Sequence, residues 1–317
     1  MSDRTSTEGL ELGASESPDG DMAQFLDPGL DFGREDLSPD EATRYLDWCR
    51  RVHGEGNLDL VPFAEFFAEL DGAGLKRLRR HTAQLALPTA AAVLMWTHTY
   101  CVQGFAKGVL YEVIAARELG ISRAALVEVL KIAGYFGGPR ALNAAGELTL
   151  PYLRRWEESE TADMMWPAGW TIDPDAFRTG IDHSTAELTS NELELIERWY
   201  VRVHGSMPES MHLAAQANPG AFKMNRVRFE RLPGVAIPAQ LVPLLGLHTA
   251  AANGWTSGIR RSFELARFVG VDQSAALTTL HWATVVGGEW LLSDAFEALA
   301  DVHEPEQGAS TKDRALW

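Results

Sequence analysis

Two stretches of the chain carry no charged residue at all, Thr82 to Ala106 and Leu232 to Ile259. Between and after them, apolar positions recur at three- and four-residue spacing. Val109 and Val113 mark one side of Gly104–Leu119, and Leu126, Val129, Leu130 and Ala133 mark one side of Ser122–Tyr135. That period belongs to helices, and no stretch alternates convincingly as a strand. The pattern therefore predicts an all-α protein with two buried central helices. Pro88, Gln84, Pro238, Gln240 and Pro243 interrupt the charge-free stretches, which argues against membrane spans.

The pattern is also written twice. Leu37-Ser38-Pro39-Asp40-Glu41 and Leu188-Thr189-Ser190-Asn191-Glu192 each set a hydroxyl three residues before a glutamate, the capping-box signature of a helix start. Each is followed at the same offset by Trp48/Trp199, Arg51/Arg202 and the tripeptides Val52-His53-Gly54 and Val203-His204-Gly205. Further on, Gly104-Phe105 matches Gly254-Trp255, Gly108 matches Gly258, Gly120 matches Gly270, and Gly137-Gly138 matches Gly287-Gly288. Two units rather than three or more short modules imply a duplication, not a solenoid. The expected organisation is an acidic disordered arm over 1–36, a first unit over 37–150, a linker over 151–187, a second unit over 188–303 and a flexible end over 304–317.

Composition narrows the class. The 317 residues are 46% hydrophobic, enough for two ordinary cores, and the formal charge is −16. Residues 1–40 hold eleven acidic and two basic residues, so about nine of those negative charges belong to the arm. An acidic chain without a Lys/Arg-rich stripe is a poor partner for nucleic acid or anionic membranes. The arm has neither a basic n-region nor an apolar h-region, so a cytoplasmic location is expected. Cys49 and Cys101 form no metal-ligand spacing and are too few for a disulfide framework.

Candidate chemistry gathers on the buried helices. His98 and His248 match at an offset of 150 within His98-Thr99 and His248-Thr249. A histidine in an apolar setting suits acid/base work or metal ligation, or else a hydrogen-bonded place in the core. Helical spacing sets Glu112 between Gly108 and Ala115/Ala116, a small-residue face that a ligand can approach, although it also reads as an ordinary solvated glutamate. The second unit has Ser262 at that position. Tyr100, Cys101, Phe105, Trp255 and Arg260 are candidate pocket and substrate-binding residues, with Cys101 read as an inert thiol for want of a basic neighbour. Arg260 can pair with Glu264 on the helix surface, or grip a substrate carboxylate.

Gly120-Ile121-Ser122, Val127-Glu128-Val129-Leu130, Tyr135-Phe136-Gly137-Gly138-Pro139 and Ala144-Ala145, with Ala266-Arg267 and Gly270-Val271 in the second unit, resemble the carboxymuconolactone decarboxylase family, which includes alkylhydroperoxidase D-like proteins. The resemblance covers roughly 37–150 and 188–303. It implies two fused copies of an alkylhydroperoxidase D-like helical domain and assembly into rings, so that a fused pair would form a homo-oligomer, a trimer with six domains. Counting back from Gly120, the family's redox CxxC falls on Phe105 and Gly108, and its histidine on Glu112. From Gly270 these positions fall on Trp255, Gly258 and Ser262. Peroxidase chemistry is thereby set aside. The leading expectation is a cofactor-free lyase or isomerase for a small carboxylated or enolisable metabolite, with Glu112 and His98 exchanging protons. The alternatives are a metal-dependent enzyme in which His98, His248 and Glu112 converge, and a non-catalytic ligand-binding or assembly protein.

Overall fold

A computed structural model describes residues 29–53, 65–66, 69–76, 87–156, 166–232 and 235–303. Residues 1–28 of the arm expected over 1–36 and the C-terminal segment 304–317 lie outside the described residues, as does part of the linker. Among the described residues the structure is all-helical and contains no strand. Among those residues no helix is long and apolar enough to cross a membrane.

The helices are α1 (Pro39–His53), α2 (Thr89–Gln103), α3 (Ala106–Glu118), α4 (Arg123–Ala144), α5 (Leu150–Arg155), α6 (Ser190–His204), α7 (Glu209–Ala217), α8 (Pro219–Arg231), α9 (Leu241–Ala252), α10 (Thr256–Phe268), α11 (Gln273–Gly287) and α12 (Leu291–His303). Their punctuation follows from the sequence. Gly104 and Gly254 sit at φ 82° and 65°, closing α2 and α9, and Phe105 and Trp255 then donate back to the carbonyls of Tyr100 and Ala250. A left-handed residue at a helix end is where glycine is needed. Ser122 and Asp272 cap α4 and α11 through the Ala125 and Ala275 N–H groups. Beyond Gly138 (φ 61°, ψ −147°) helix resumes at once through Pro139, passes a π turn at Ala145–Thr149 and runs on into α5. Beyond Gly288 the chain turns before α12 begins.

Helices α2 and α9 pack on each other at the centre of one continuous core. Around α2 lie α3 and α4; around α9 lie α10 and α11. The approach is close because Gly137 and Gly287 present no side chain. A Cβ at 137 would meet Val102 Cα at 3.0 Å, and one at 287 would meet Ala252 O at 2.7 Å and Cα at 2.9 Å.

Residues 29–36 do not belong to a disordered arm. Leu30 is buried with Tyr45, Trp48, Cys49 and Leu75, and Asp31 donates its N–H to Glu41 at 2.7 Å. Glu41 also completes the capping box on Ser38 and receives Lys76 Nζ at 2.8 Å. The ammonium then reaches the carbonyls of Asp31 and Asp36 at 2.8 and 2.7 Å. The second half repeats this clasp. Asp182 N–H and Thr189 N–H donate to Glu192 at 3.0 and 2.9 Å, Lys223 Nζ meets Glu192 at 2.6 Å, and Lys223 also reaches the Glu187 carbonyl and the Thr185 hydroxyl. The segment assigned to a linker is likewise structured where described. Tyr152, Leu153 and Trp156 are buried, as are Phe177 and Ile181, and Arg226 donates to the Phe177 carbonyl.

Each clasp takes a lysine and a glutamate out of water, which is tolerable only because the ion pair and the N–H donors satisfy both. Burial alone would raise the Glu41 and Glu192 carboxyls. The lysines and backbone donors outweigh it and hold both at about 2. Lys223→Met, which strands the Glu192 charge, is expected to destabilise the protein by about 3–5 kcal/mol. The double substitution Glu192→Gln with Lys223→Met should recover part of that loss in denaturant unfolding. A single variant within about 1 kcal/mol of wild type would show that the clasp contributes little.

Candidate functional site

Helix α2 presents two different faces. At about 100° per residue, His98 and Tyr100 point to sides of the helix roughly 200° apart. His98 faces α9 and Tyr100 faces α3.

On the α9 side the structure builds a buried chain of four groups. His98 Nδ1 lies 2.7 Å from Thr249 Oγ1, Thr249 Oγ1 lies 2.8 Å from Thr99 Oγ1, and Thr99 Oγ1 lies 2.7 Å from His248 Nδ1. Both histidines are 0% exposed, and the His98 ring meets Phe136 edge-on at 5.3 Å. Burial, reinforced by the neighbouring His248, depresses His98 to about 3; burial, opposed by the Trp282 backbone, depresses His248 to about 3 as well. Both rings are therefore neutral near pH 7.

Proton counting then fixes their tautomers. Three links need three protons, and the two hydroxyls supply two. One imidazole must donate through Nδ1–H and the other must accept at Nδ1, carrying its proton on Nε2. Two Nδ1–H rings would leave a hydroxyl proton with no place in the chain, and two Nε2–H rings would leave a link without a proton. The two Nε2 atoms are buried without a hydrogen-bond partner among the described residues.

On the α3 side, Tyr100 and Phe105 meet edge-on at 5.5 Å above Gly108. A Cβ on Gly108 would strike the Phe105 ring at 2.4 Å and Tyr100 Cγ at 2.8 Å, so the corner closes only around glycine. Glu112, one turn further along α3, is 4% exposed, while Phe105 at the rim is 51% exposed. Burial, and then the negative charge of Glu112, push the Tyr100 phenol upward, so it stays a hydrogen-bond donor across the ordinary pH range. The corner thus brings a buried carboxylate within electrostatic reach of a phenol beneath an exposed ring.

These placements correct several expectations. His98 and Glu112 were expected to exchange protons, but His98 is engaged by Thr249 across the α2–α9 seam and Glu112 belongs to the Tyr100 corner. The metal set of His98, His248 and Glu112 is not built, because both Nδ1 atoms are occupied by hydroxyls and no group of three metal-ligating side chains forms among the described residues. Cys101, expected to bind substrate, is fully buried, its thiol donates to the Ala141 carbonyl at 3.1 Å, and burial raises it to about 12. Trp255, 41% exposed, and half-buried Arg260 belong to the α9–α10 corner. There Ala250 replaces Tyr100, and Ser262 lies against Gly246 in place of a carboxylate. Glu264 receives His204 Nδ1 at 2.6 Å.

Sequence reasoning also missed a buried network around Glu230, which accepts from Thr179, Arg226 Nε at 2.8 Å and His183 Nε2 at 2.7 Å. Arg226 stacks over Trp199 at 3.8 Å. The one signal was a charge-rich run on α8 amid apolar residues.

No family model, curated protein or solved structure matches the chain.

The histidine chain makes stability depend on pH. With folded values near 3 against 6.5 for the free side chain, the unfolded state gains protons below about pH 6.5 that the folded state refuses. Stability is therefore complete above that pH and falls toward pH 3, approaching about 2.7 kcal/mol per pH unit for two such groups. Denaturant titrations between pH 7.5 and 5 should show this decline, ahead of the acid loss near and below pH 4.5 from Glu41 and Glu192. A flat profile across that window, or an equal slope after His248→Gln, would count against neutral buried imidazoles.

Proposed function

We propose that the chain is a tandem-duplicated relative of the carboxymuconolactone decarboxylase and alkylhydroperoxidase D-like proteins, working as a cofactor-free lyase or isomerase through its first half. The observation that carries this reading is Glu112, a buried carboxylate beside Tyr100, at the position where the resemblance puts the family's histidine. The paired clasps, the paired glycine caps and the symmetric histidine–threonine contacts support the duplication. Ser262 at the matching position supports an asymmetric protein with one acting corner.

In this reading Glu112 removes a proton from the carbon next to the carbonyl or carboxylate of a small enolisable metabolite. The Tyr100 phenol donates a hydrogen bond to the oxygen on which negative charge develops. The protonated Glu112 then returns its proton to a different carbon in an isomerisation. In a decarboxylation the carboxylate leaves as carbon dioxide, and an already protonated Glu112 supplies the proton to the resulting carbanion. Phe105 walls the apolar part of the substrate. The exposed rings of Phe105 and Trp255 at matching corners fit burial against further copies of the chain in a homo-oligomer, a trimer in the family's manner.

The test is solvent-deuterium exchange and turnover, followed by proton NMR, across a panel of small carboxylic acids and lactones. Glu112→Gln should lower the rate on any active compound by about 100-fold or more, and Tyr100→Phe by a smaller factor. Full activity in Glu112→Gln would remove Glu112 from the chemistry. Inertness toward the whole panel would favour a non-catalytic binding or assembly protein, a reading encouraged by the structural use of His98 and His248.

A further inference from the structure

A cleft of about 470 Å³ lies where the first half of α4 meets the end of α8 with Leu232, Val235 and Ala236. Arg123, Val127 and Lys131 follow one another at four-residue spacing on one face of α4, so two cations flank an apolar position. Across the cleft stand Arg231, Leu232 and Val235, and Val235 is 76% exposed. The acid in this lining, Glu128, belongs to the wall of the cleft. It is 4% exposed, and its carboxylate accepts the N–H groups of Val235 and Ala236, which fixes the opposite wall. Arg231 is steadied by His183, to which it donates through Nε at 3.3 Å and, at the carbonyl, through a terminal nitrogen at 3.2 Å.

Three cations around an apolar floor stand out in a chain of formal charge −16. We propose that this cleft is a binding site for a small organic anion with an apolar body, such as an aliphatic carboxylate. Its carboxylate pairs with Arg123, Lys131 and Arg231, and its hydrocarbon covers Val127, Leu232 and Val235. The volume falls in the range of small-molecule sites. A guanidinium gives a carboxylate two parallel hydrogen bonds, and the apolar floor separates this ligand from inorganic anions, which have nothing to lay there. The site stands apart from the Glu112 corner and does not depend on its chemistry.

The experiment is a methyl NMR titration of the full chain with octanoate, octanol and acetate. Octanoate should give saturable shifts at the Val127 and Val235 methyls, and octanol and acetate should bind at least about 10-fold more weakly. Arg123→Glu, Lys131→Glu and Val235→Asp should each weaken octanoate by a similar factor. All three positions are exposed, and a glutamate in the first turn of α4 suits the helix dipole, so the fold is retained. Glu112→Gln should leave octanoate binding unchanged, which separates this site from the proposed catalytic corner. Equal binding of octanoate and octanol or acetate, no saturable shift with octanoate, or indifference to the charge reversals would overturn the proposal.

Discussion

The contact on which the architecture turns is the hydrogen-bonded chain His98–Thr249–Thr99–His248 between α2 and α9. Two side chains from each half meet there, and their mutual hydrogen bonds exist only when the two helices are brought together. An unpaired imidazole or hydroxyl at 0% exposure costs more than a hydrogen bond returns, so the two helices are bound to one register and one distance. The close approach of α4 to α2 and of α11 to α9 at Gly137 and Gly287 then places the outer helices around a centre already fixed.

The same logic governs the periphery. Each half folds an N-terminal strap onto its capping-box helix by sending one buried lysine to one buried glutamate and to the strap's carbonyls. A plain capping box would be served by the hydroxyl and glutamate alone; the lysine converts a helix start into an anchor for the preceding segment. Where the halves part company, the differences fall at the α2–α3 corner and its counterpart. Tyr100, Phe105 and Glu112 stand against Ala250, Trp255 and Ser262, and this is why the functional reading rests on the first half.

Much of the fold was legible in the sequence. The charge-free stretches foretold the central helices because a helix enclosed on all sides tolerates no charge, and the offset glycines foretold the turns because only glycine takes a left-handed cap cheaply. The histidine–threonine dipeptides were visible as a repeat, but their meaning was not: spacing along one helix says nothing of which helix lies opposite. His98 and Glu112 looked like partners, yet the face of α2 that carries His98 is turned away from α3. The clasps were half legible. Ser38/Glu41 and Thr189/Glu192 announced themselves, whereas Lys76 and Lys223 lie 35 and 31 residues further along the chain, where local pattern gives no hint of an ion pair.

The seam is nearly symmetric but its protons are not, and long-range nitrogen–proton correlation of the two neutral histidine rings tests this most directly. One ring should appear as the Nδ1–H tautomer and the other as the Nε2–H tautomer, both neutral at pH 5. The same tautomer in both rings, or protonation of either near pH 6.5, would contradict it.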